Sequence, residues 1–250
     1  MIDITIDGIR TTVSEGDTIL AAARAIGIEI PTLCHHDIVR PHRACRVCTV
    51  EVIRADKVNF LTACTYKVTE PLVVNTRSEG ALARRREIVA GLVASSPGAP
   101  ALAVIAHEAG IETHSDSTGE RCIRCGLCVR VCDEIIGQKA LAYEKGAAGT
   151  PYKTVSDACI GCATCAAICP TGAIVVEERG GVRRFPQGNR EFKLTACRTC
   201  GRPITTELHL AAVRAKRSLP DSVAQVCPAC KRASFAGLVS AGESTRPPKL

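Results

Sequence analysis

At 250 residues the chain is long enough for one large domain or several small ones, and sixteen cysteines beside only seven aromatic residues favour several small modules. The formal charge of +7 treats every cysteine as neutral. Metal-bound cysteines are thiolates, about −16 in total, and the metal centres that the spacings imply return about +8, so the chain is near neutral and its apparent basicity gives no ground for a nucleic-acid partner. No stretch approaches the ~18 apolar residues of a membrane span, and the nearest, residues 88–105, is interrupted by Ser95, Ser96, Pro97 and Pro100. The first residues lack the basic and then apolar pattern of a secretory signal. A cytoplasmic protein without direct membrane insertion is expected, in which closely spaced cysteines read as metal ligands before disulfides.

In chain order, alternating Ile2, Ile4 and Ile6, a turn at Gly8 and a second strand over Ile9–Val13 predict a hairpin. Asp17 or Thr18 caps a helix with Ile19, Leu20, Ala23 and Ile26 on one face, ending near Gly27. A cysteine-bearing loop from Cys34 to Cys48 runs into a strand at Thr49–Ile53, with shorter strands near Phe60–Ala63 and Leu72–Val74. Residues 79–116 read as helical, with Leu82, Ile88, Leu92 and Val93 as an apolar face, the run Arg84-Arg85-Arg86 as a solvated face, and a second helix over Ala101–Ala109 closed by Gly110. From about residue 181 a Gly- and Arg-rich link leads to a C-terminal module, and the last ten residues read as frayed.

Residues 117–180 contain an internal repeat, Cys122-Ile-Arg-Cys125-Gly-Leu-Cys128-Val-Arg-Val-Cys132 and Cys159-Ile-Gly-Cys162-Ala-Thr-Cys165-Ala-Ala-Ile-Cys169-Pro170. In a C-x2-C-x2-C-x3-C run, the first three thiolates wrap one cubane while the fourth reaches the other cluster of the pair. One [4Fe-4S] cluster is therefore assigned to Cys122, Cys125, Cys128 and Cys169, and the other to Cys159, Cys162, Cys165 and Cys132. Asp133 stands where the bacterial run has proline. An acidic residue there, Asp133 or Glu134, would lower the cluster's potential, because reduction adds negative charge.

A second constellation comprises Cys34, Cys45, Cys48 and Cys64. Three cysteines on one loop and a fourth from a distant strand suit a [2Fe-2S] site, although the first gap, ten residues, is longer than in plant-type ferredoxins. His35 and His36 adjoin Cys34 and would suit a Rieske centre. Four cysteines are already present, so the histidines read as solvated or as modulating neighbours. A third constellation, Cys197, Cys200, Cys227 and Cys230, forms two knuckles separated by 26 residues. Structural zinc leads there, followed by a rubredoxin-like single iron and then a further cluster, with the helical stretch Glu207–Val213 between the knuckles suggesting a zinc-stapled docking module.

The stretches Ala44-Cys45-Arg46-Val47-Cys48 and Ala63-Cys64-Thr65-Tyr66, continuing through Cys122–Cys132 and Asp133-Glu134, resemble the N-terminal part of the large iron-sulfur subunit of respiratory complex I. They are similar also to the diaphorase iron-sulfur subunit of bidirectional hydrogenases and to the N-terminus of many iron-only hydrogenases. This resemblance covers roughly residues 1–180 and implies an α+β chain. Its expected parts are a β-grasp [2Fe-2S] ferredoxin domain over 1–78, a helical linker over 79–116, a two-[4Fe-4S] ferredoxin-like domain over 117–180 and a four-cysteine metal module over 181–250. The loop between Cys48 and Cys64 is slightly longer than in those relatives, which lengthens a hairpin without removing a ligand. The relatives commonly carry a further cluster on one histidine and three cysteines between the two ferredoxin domains; residues 79–116 offer His107 and His114 but no cysteine, so no cluster is expected there.

The sequence contains no dinucleotide-binding glycine loop after a strand, no Walker-A loop and no C-x3-C-x2-C radical motif. The expected role is a non-catalytic electron relay in a hetero-oligomer, with one [2Fe-2S], two [4Fe-4S] and one zinc or single iron. By the resemblance, its partners are a flavin-containing, NAD(P)H-reacting subunit and a terminal enzyme such as a hydrogenase or formate dehydrogenase. An iron-sulfur redox sensor is the alternative, but it would need a DNA-reading element that the sequence lacks. A self-sufficient reductase would need a flavin or substrate pocket.

Overall fold

The computed structural model describes residues 1–55, 57–113, 119–142, 153–154, 156–186, 189–217 and 220–234. The chain forms two compact units, residues 1–153 with 164–174, and residues 154–163 with 175–250.

The first unit begins with the predicted hairpin, β1 (Ile2–Ile6) and β2 (Ile9–Val13), with Ile6 opposite Ile9. Asp7 and Gly8 both have positive φ, 46° and 83°, the conformation that two-residue hairpin turns need to match strand twist. Helix α1 (Ile19–Ala25) is capped by Thr18, whose hydroxyl accepts from the Ala21 N–H at 3.2 Å; the Asp17 carboxylate accepts instead from the Ser14 N–H. Strands β3 (Thr49–Arg54), β4 (Lys57–Thr62) and β5 (Leu72–Asn75) complete a five-stranded sheet of order β2-β1-β5-β3-β4. The pairing of β1 with β5 is parallel and the rest antiparallel. Such a mixed sheet with one helix over it is the β-grasp expected from the resemblance. Alternate residues Ile4, Ile6, Val50, Val52, Leu72 and Val74 meet Ile19, Leu20 and Ala23 of α1 in its core.

Helices α2 (Glu79–Ser95) and α3 (Pro100–Glu108) follow, broken as predicted between Ser95 and Pro100. Two details differ from expectation. Leu82 is 48% exposed, and Ala81 and Val89 are the buried residues of α2, joined by the half-buried Ile88, Leu92 and Val93. The arginine run is not a uniformly solvated face, because Arg85 turns inward and donates to the Thr49 and Thr76 carbonyls at 3.0 and 3.1 Å. Arg84 covers the Phe60 ring at 4.3 Å. His107 is exposed on α3, and His114 lies outside the described residues.

The repeat region supplies α4 (Leu127–Arg130), which runs into a π-helical turn over Val131–Ile136 and stops at Gly137 in the left-handed conformation. Short strands β6 (Leu141–Ala142) and β7 (Lys153–Thr154), a 3₁₀ turn over Ser156–Ala158 and helix α5 (Thr164–Ala167) come next.

The second unit is built on an antiparallel sheet of order β11-β10-β9-β8 from β8 (Glu177–Arg179), β9 (Val182–Phe185), β10 (Arg190–Ala196) and β11 (Pro203–Thr206). The segment expected as a Gly- and Arg-rich link is therefore β-structure: Gly180 and Gly181, at φ 59° and 77°, make the two-residue turn between β8 and β9. Helix α6 (Glu207–Lys216) packs on β10 and β11, and α7 (Asp221–Ala224) and a helical turn over 228–234 follow. The C-terminal residues expected to fray lie outside the described residues.

Candidate metal centres

All sixteen cysteines are free thiols. In the first unit, hairpin pairing decides how Cys48 and Cys64 meet. Thr49 lies opposite Thr62, and the Ala63 N–H donates to the Cys48 carbonyl at 3.0 Å, so Cys48 and Cys64 leave the same open end of the hairpin with their sulfurs 3.2 Å apart. Cys34 is brought beside Cys45, whose N–H donates to the Cys34 sulfur at 3.5 Å, and the Cys34 thiol donates to the His42 carbonyl at 2.9 Å. All four are buried. Within each pair the shared hydrogen bond favours one thiolate: Cys45 holds the Cys34 thiol down to about 5 while Cys45 itself is pushed up, and Cys64 holds Cys48 down while Cys64 is pushed up. His35 is not solvated. Its side chain is 12% exposed, Nε2 is 3.0 Å from Asp37 Oδ1, and Nδ1 is buried with no hydrogen-bond partner. His36 is exposed.

Cys122, Cys125, Cys128 and Cys169 line one small cavity of the first unit, walled by Ile123, Leu127 and Ile174. The fourth thiol comes from the other run of the repeat, as the interlocked pattern requires. Burial first, and then the neighbouring thiols, push Cys125 up to about 11, against a lowering bond from the Leu127 N–H, and Cys128 up to about 12; burial likewise raises Cys122. Wholly or partly buried thiols that repel one another as anions, in an apolar wall, suit a cationic iron-sulfur core at their centre.

Of the remaining four, Cys132 and Cys165 belong to the first unit and Cys159 and Cys162 to the second. Cys132, on the π-helical turn, accepts from the Ala140 N–H at 3.3 Å. The following acids are partly neutralised: Asp133 is 3.8 Å from Lys139 Nζ, and Glu134 accepts from the Arg40 N–H. Every C-x2-C step of the two runs contains one residue of positive φ, Arg124 and Gly126 in the first, Gly161 and Ala163 in the second, at matching positions. Arg46 does the same between Cys45 and Cys48. Reversing the backbone within two residues is what lets successive thiols face one centre, and it justifies a strained conformation at non-glycine positions.

The Cys159–Cys162 turn rests on the second unit's own sheet. Arg183, buried on β9, donates to the Gly161 carbonyl at 2.7 Å and pairs with Glu178 opposite it on β8. The Thr206 hydroxyl donates to the Ile160 carbonyl at 2.5 Å while accepting from the His209 N–H at 3.1 Å as the cap of α6. Neither Arg183 nor Thr206 carries a sequence signal of this role, nor does Arg130 in the first unit, whose Nη2 donates to the Cys34 carbonyl.

Cys197, Cys200, Cys227 and Cys230 have sulfurs all within 4.8 Å of one another, the single such group among the described residues. The first knuckle is the turn between β10 and β11, closed by the Cys197 N–H to the Arg202 carbonyl at 2.8 Å, with Gly201 at φ 71°. The second opens the helical turn over 228–234, where the Cys227 N–H donates to the Cys197 sulfur at 3.3 Å. That bond first, then bonds around the knuckle, holds the Cys197 thiol down to about 6; Arg202 lowers Cys200, whereas Cys230 is pushed up to about 12 by Cys200 and Cys227. Four thiolates bound at about 2.3 Å to a tetrahedral ion lie roughly 3.8 Å apart, and Cys200 and Cys227 are at 3.7 Å. The set fits a single ion and is too tight for a cubane.

Residues 1–79 match the 2Fe-2S iron-sulfur cluster binding domain family, and residues 117–176 match the 4Fe-4S dicluster domain family. The chain therefore carries a 2Fe-2S cluster binding domain followed by a 4Fe-4S dicluster domain. It is 33% identical over 204 residues to the NADPH-Fe(3+) oxidoreductase subunit alpha of Geobacter sulfurreducens, covering 70% of this chain and 24% of that one. It is 32% identical over 222 residues to the NADP-reducing hydrogenase subunit HndD of Solidesulfovibrio fructosivorans (71% and 36%). It is also 31% identical over 206 residues to an NADH-quinone oxidoreductase subunit of Rhizobium meliloti (70% and 24%). A chain of the crystal structure of NAD+-reducing [NiFe]-hydrogenase in the H2-reduced state superposes with a TM-score of 0.58 at 26% identity, covering 69% of this chain and 86% of that chain. The kinship expected from the cysteine pattern therefore holds, and the chain spans 24–36% of the length of these curated relatives. Among the described residues, no helix is long and apolar enough to cross a membrane.

Proposed function

We propose that this chain is a non-catalytic electron relay in a hetero-oligomeric oxidoreductase, passing single electrons between a flavin- and NAD(P)H-reacting subunit and a terminal enzyme such as a hydrogenase or formate dehydrogenase. The [2Fe-2S] ligands are Cys34, Cys45, Cys48 and Cys64. One cubane takes Cys122, Cys125, Cys128 and Cys169, the other Cys159, Cys162, Cys165 and Cys132. Cys197, Cys200, Cys227 and Cys230 hold one ion, zinc before iron, as a structural staple. The observation that carries this reading is the cavity lined by Cys122, Cys125, Cys128 and Cys169, thiols from both halves of the repeat. Relatives named for NADPH, NADP and NADH chemistry and for hydrogenases support the choice of partners.

The chemistry assigned to the bound clusters is one-electron transfer; the chain supplies thiolates, the N–H groups that face them and an aliphatic shell that excludes water. Anaerobic purification with metal analysis, followed by stepwise reduction under electron paramagnetic resonance, is expected to give about ten irons and one zinc per chain and three distinct cluster signals. About four irons only, or disulfides in place of thiolates, would overturn the reading.

A further inference from the structure

In the first unit a single side chain binds the main chain of both cysteine loops. Arg130, the last residue of α4, donates through Nη2 to the Cys34 carbonyl at 2.8 Å and more weakly to the Cys125 carbonyl at 3.4 Å, while Nη1 reaches the Arg40 carbonyl at 2.6 Å. The Cys34 loop is held a second time by Glu134, which accepts from the Arg40 N–H at 2.8 Å and lies 3.4 Å from Arg40 Nε. Around these bonds Leu33, Val39 and Val47 of one loop share a core with Ile123, Leu127 and Val131 of the other segment. The two cysteine loops thus pack directly on each other. A planar guanidinium with five donors can satisfy several carbonyls at once, which a lysine ammonium cannot do in the same geometry.

We propose that Arg130 is a positioning residue that fixes the Cys34 loop against the Cys125 loop, so that one electron passes directly between the [2Fe-2S] site and the Cys122–Cys169 cubane site, its charge favouring the reduced form of both. The inference rests on the ligand sets proposed above. The step balances: reduced [2Fe-2S]⁺ returns to [2Fe-2S]²⁺ as [4Fe-4S]²⁺ becomes [4Fe-4S]⁺, with the electron drawn originally from a reduced flavin of the partner and no bond or proton moving. Arg130 acts on both ends of that step because its partners are the carbonyls of one ligand of each site.

The test uses the full chain carrying its clusters, with Arg130→Met and Arg130→Lys, redox titrations followed by electron paramagnetic resonance, and rapid-freeze measurement of electron equilibration between the two sites. In Arg130→Met both reduction equilibria are expected to shift about tenfold toward the oxidised form, about 59 mV each, and equilibration to slow about tenfold or more. Arg130→Lys is expected to restore the potentials but not the rate. If Arg130→Met loses iron, Glu134→Ala, which removes the acceptor of the Arg40 N–H and leaves the hydrogen bonds of Arg130 in place, is expected to slow the same equilibration. Unchanged potentials and rate in Arg130→Met, a shift at one site alone, or an unchanged rate in Glu134→Ala overturns the clamp while leaving the ligand sets intact. Absence of either cluster signal from the unsubstituted chain overturns the ligand sets and the clamp together.

Discussion

Gly161 is where one added methyl group challenges the second cubane loop. Its φ of +67° lies in the left-handed region, which costs an L-residue about 1–2 kcal/mol. An added Cβ would stand 2.6 and 2.8 Å from Phe192 Cγ and Cδ2 and 2.9 Å from Thr206 Cγ2. Phe192 has little room to retreat, being 6% exposed and edge-on to Phe185 with ring centroids 5.8 Å apart. Overpacking of this kind costs about 1–3 kcal/mol. Together the two effects amount to about 2–5 kcal/mol, a large fraction of the stability of a small domain. The turn is fastened to the sheet only through Arg183 to the Gly161 carbonyl and Thr206 to the Ile160 carbonyl among the bonds described, so strain at Gly161 falls on the ligand loop.

Anaerobically purified Gly161→Ala is therefore expected to fall from about ten irons per chain toward about six. The [2Fe-2S] signal and the Cys122–Cys169 cubane signal persist, because those ligands lie in the first unit. Calorimetry should show the second unit's transition lowered by about 10 °C or more. Ala163→Gly is the control: Ala163 is already left-handed at φ 64°, so glycine there relieves strain and keeps every iron. Ten irons and an unmoved transition in Gly161→Ala would refute the packing of this turn beneath Phe192.

Thr206→Val removes a hydroxyl that caps α6 and satisfies the Ile160 carbonyl; thermal denaturation is expected to register a loss of about 1–3 kcal/mol, largely recovered by Thr206→Ser. Cys200→Ser should release the one non-cluster ion, measured by elemental analysis, with about ten irons retained; loss of the [2Fe-2S] signal instead would contradict the separation of the sets. His209 is held below the ordinary histidine value first by burial and then by the charge of Arg183. Below about pH 6.5 the unfolded chain takes up a proton there that the folded chain does not. The second unit should accordingly lose stability as pH falls from about 7 toward 5, and His209→Gln should flatten that slope; an identical slope in the variant would show that another group governs the acid limb.

The two cluster-binding domains and the β-grasp sheet were legible because their signals are local. The strand alternation at Ile2, Ile4 and Ile6 and the two-residue cysteine gaps each need only a few neighbouring residues to be read. The second unit was hidden for the opposite reason. Strand β8, Glu-Glu-Arg, is exposed throughout, and β9 buries an arginine at 8% exposure where a hydrophobic residue would have declared the strand. Arg183 can be buried only because Glu178 faces it across the hairpin and Gly161, 22 residues earlier, offers a carbonyl, and neither partner can be inferred from the residue itself.

The same blindness affected Arg85 and Arg130, and the shared cause says something about how this chain is built. An iron-sulfur loop must turn sharply, so it cannot use its carbonyls in regular ladders, and a buried carbonyl left unpaired is costly. With seven aromatic residues in 250, aliphatic side chains fill the space around the loops but cannot satisfy those carbonyls. Arginine can: Arg85 reaches Thr49, the residue after Cys48, Arg130 reaches Cys34 and Cys125, and Arg183 reaches Gly161 between Cys159 and Cys162. Arg85 and Arg130 both fasten the Cys34–Cys48 segment, Arg130 fastens the Cys122–Cys128 run as well, and Arg183 fastens the Cys159–Cys162 turn. The part of the +7 formal charge that looked like a nucleic-acid signature includes these internal fasteners, which hold the loop main chain and, with the proposed ligand sets, would also oppose the negative charge of the thiolates.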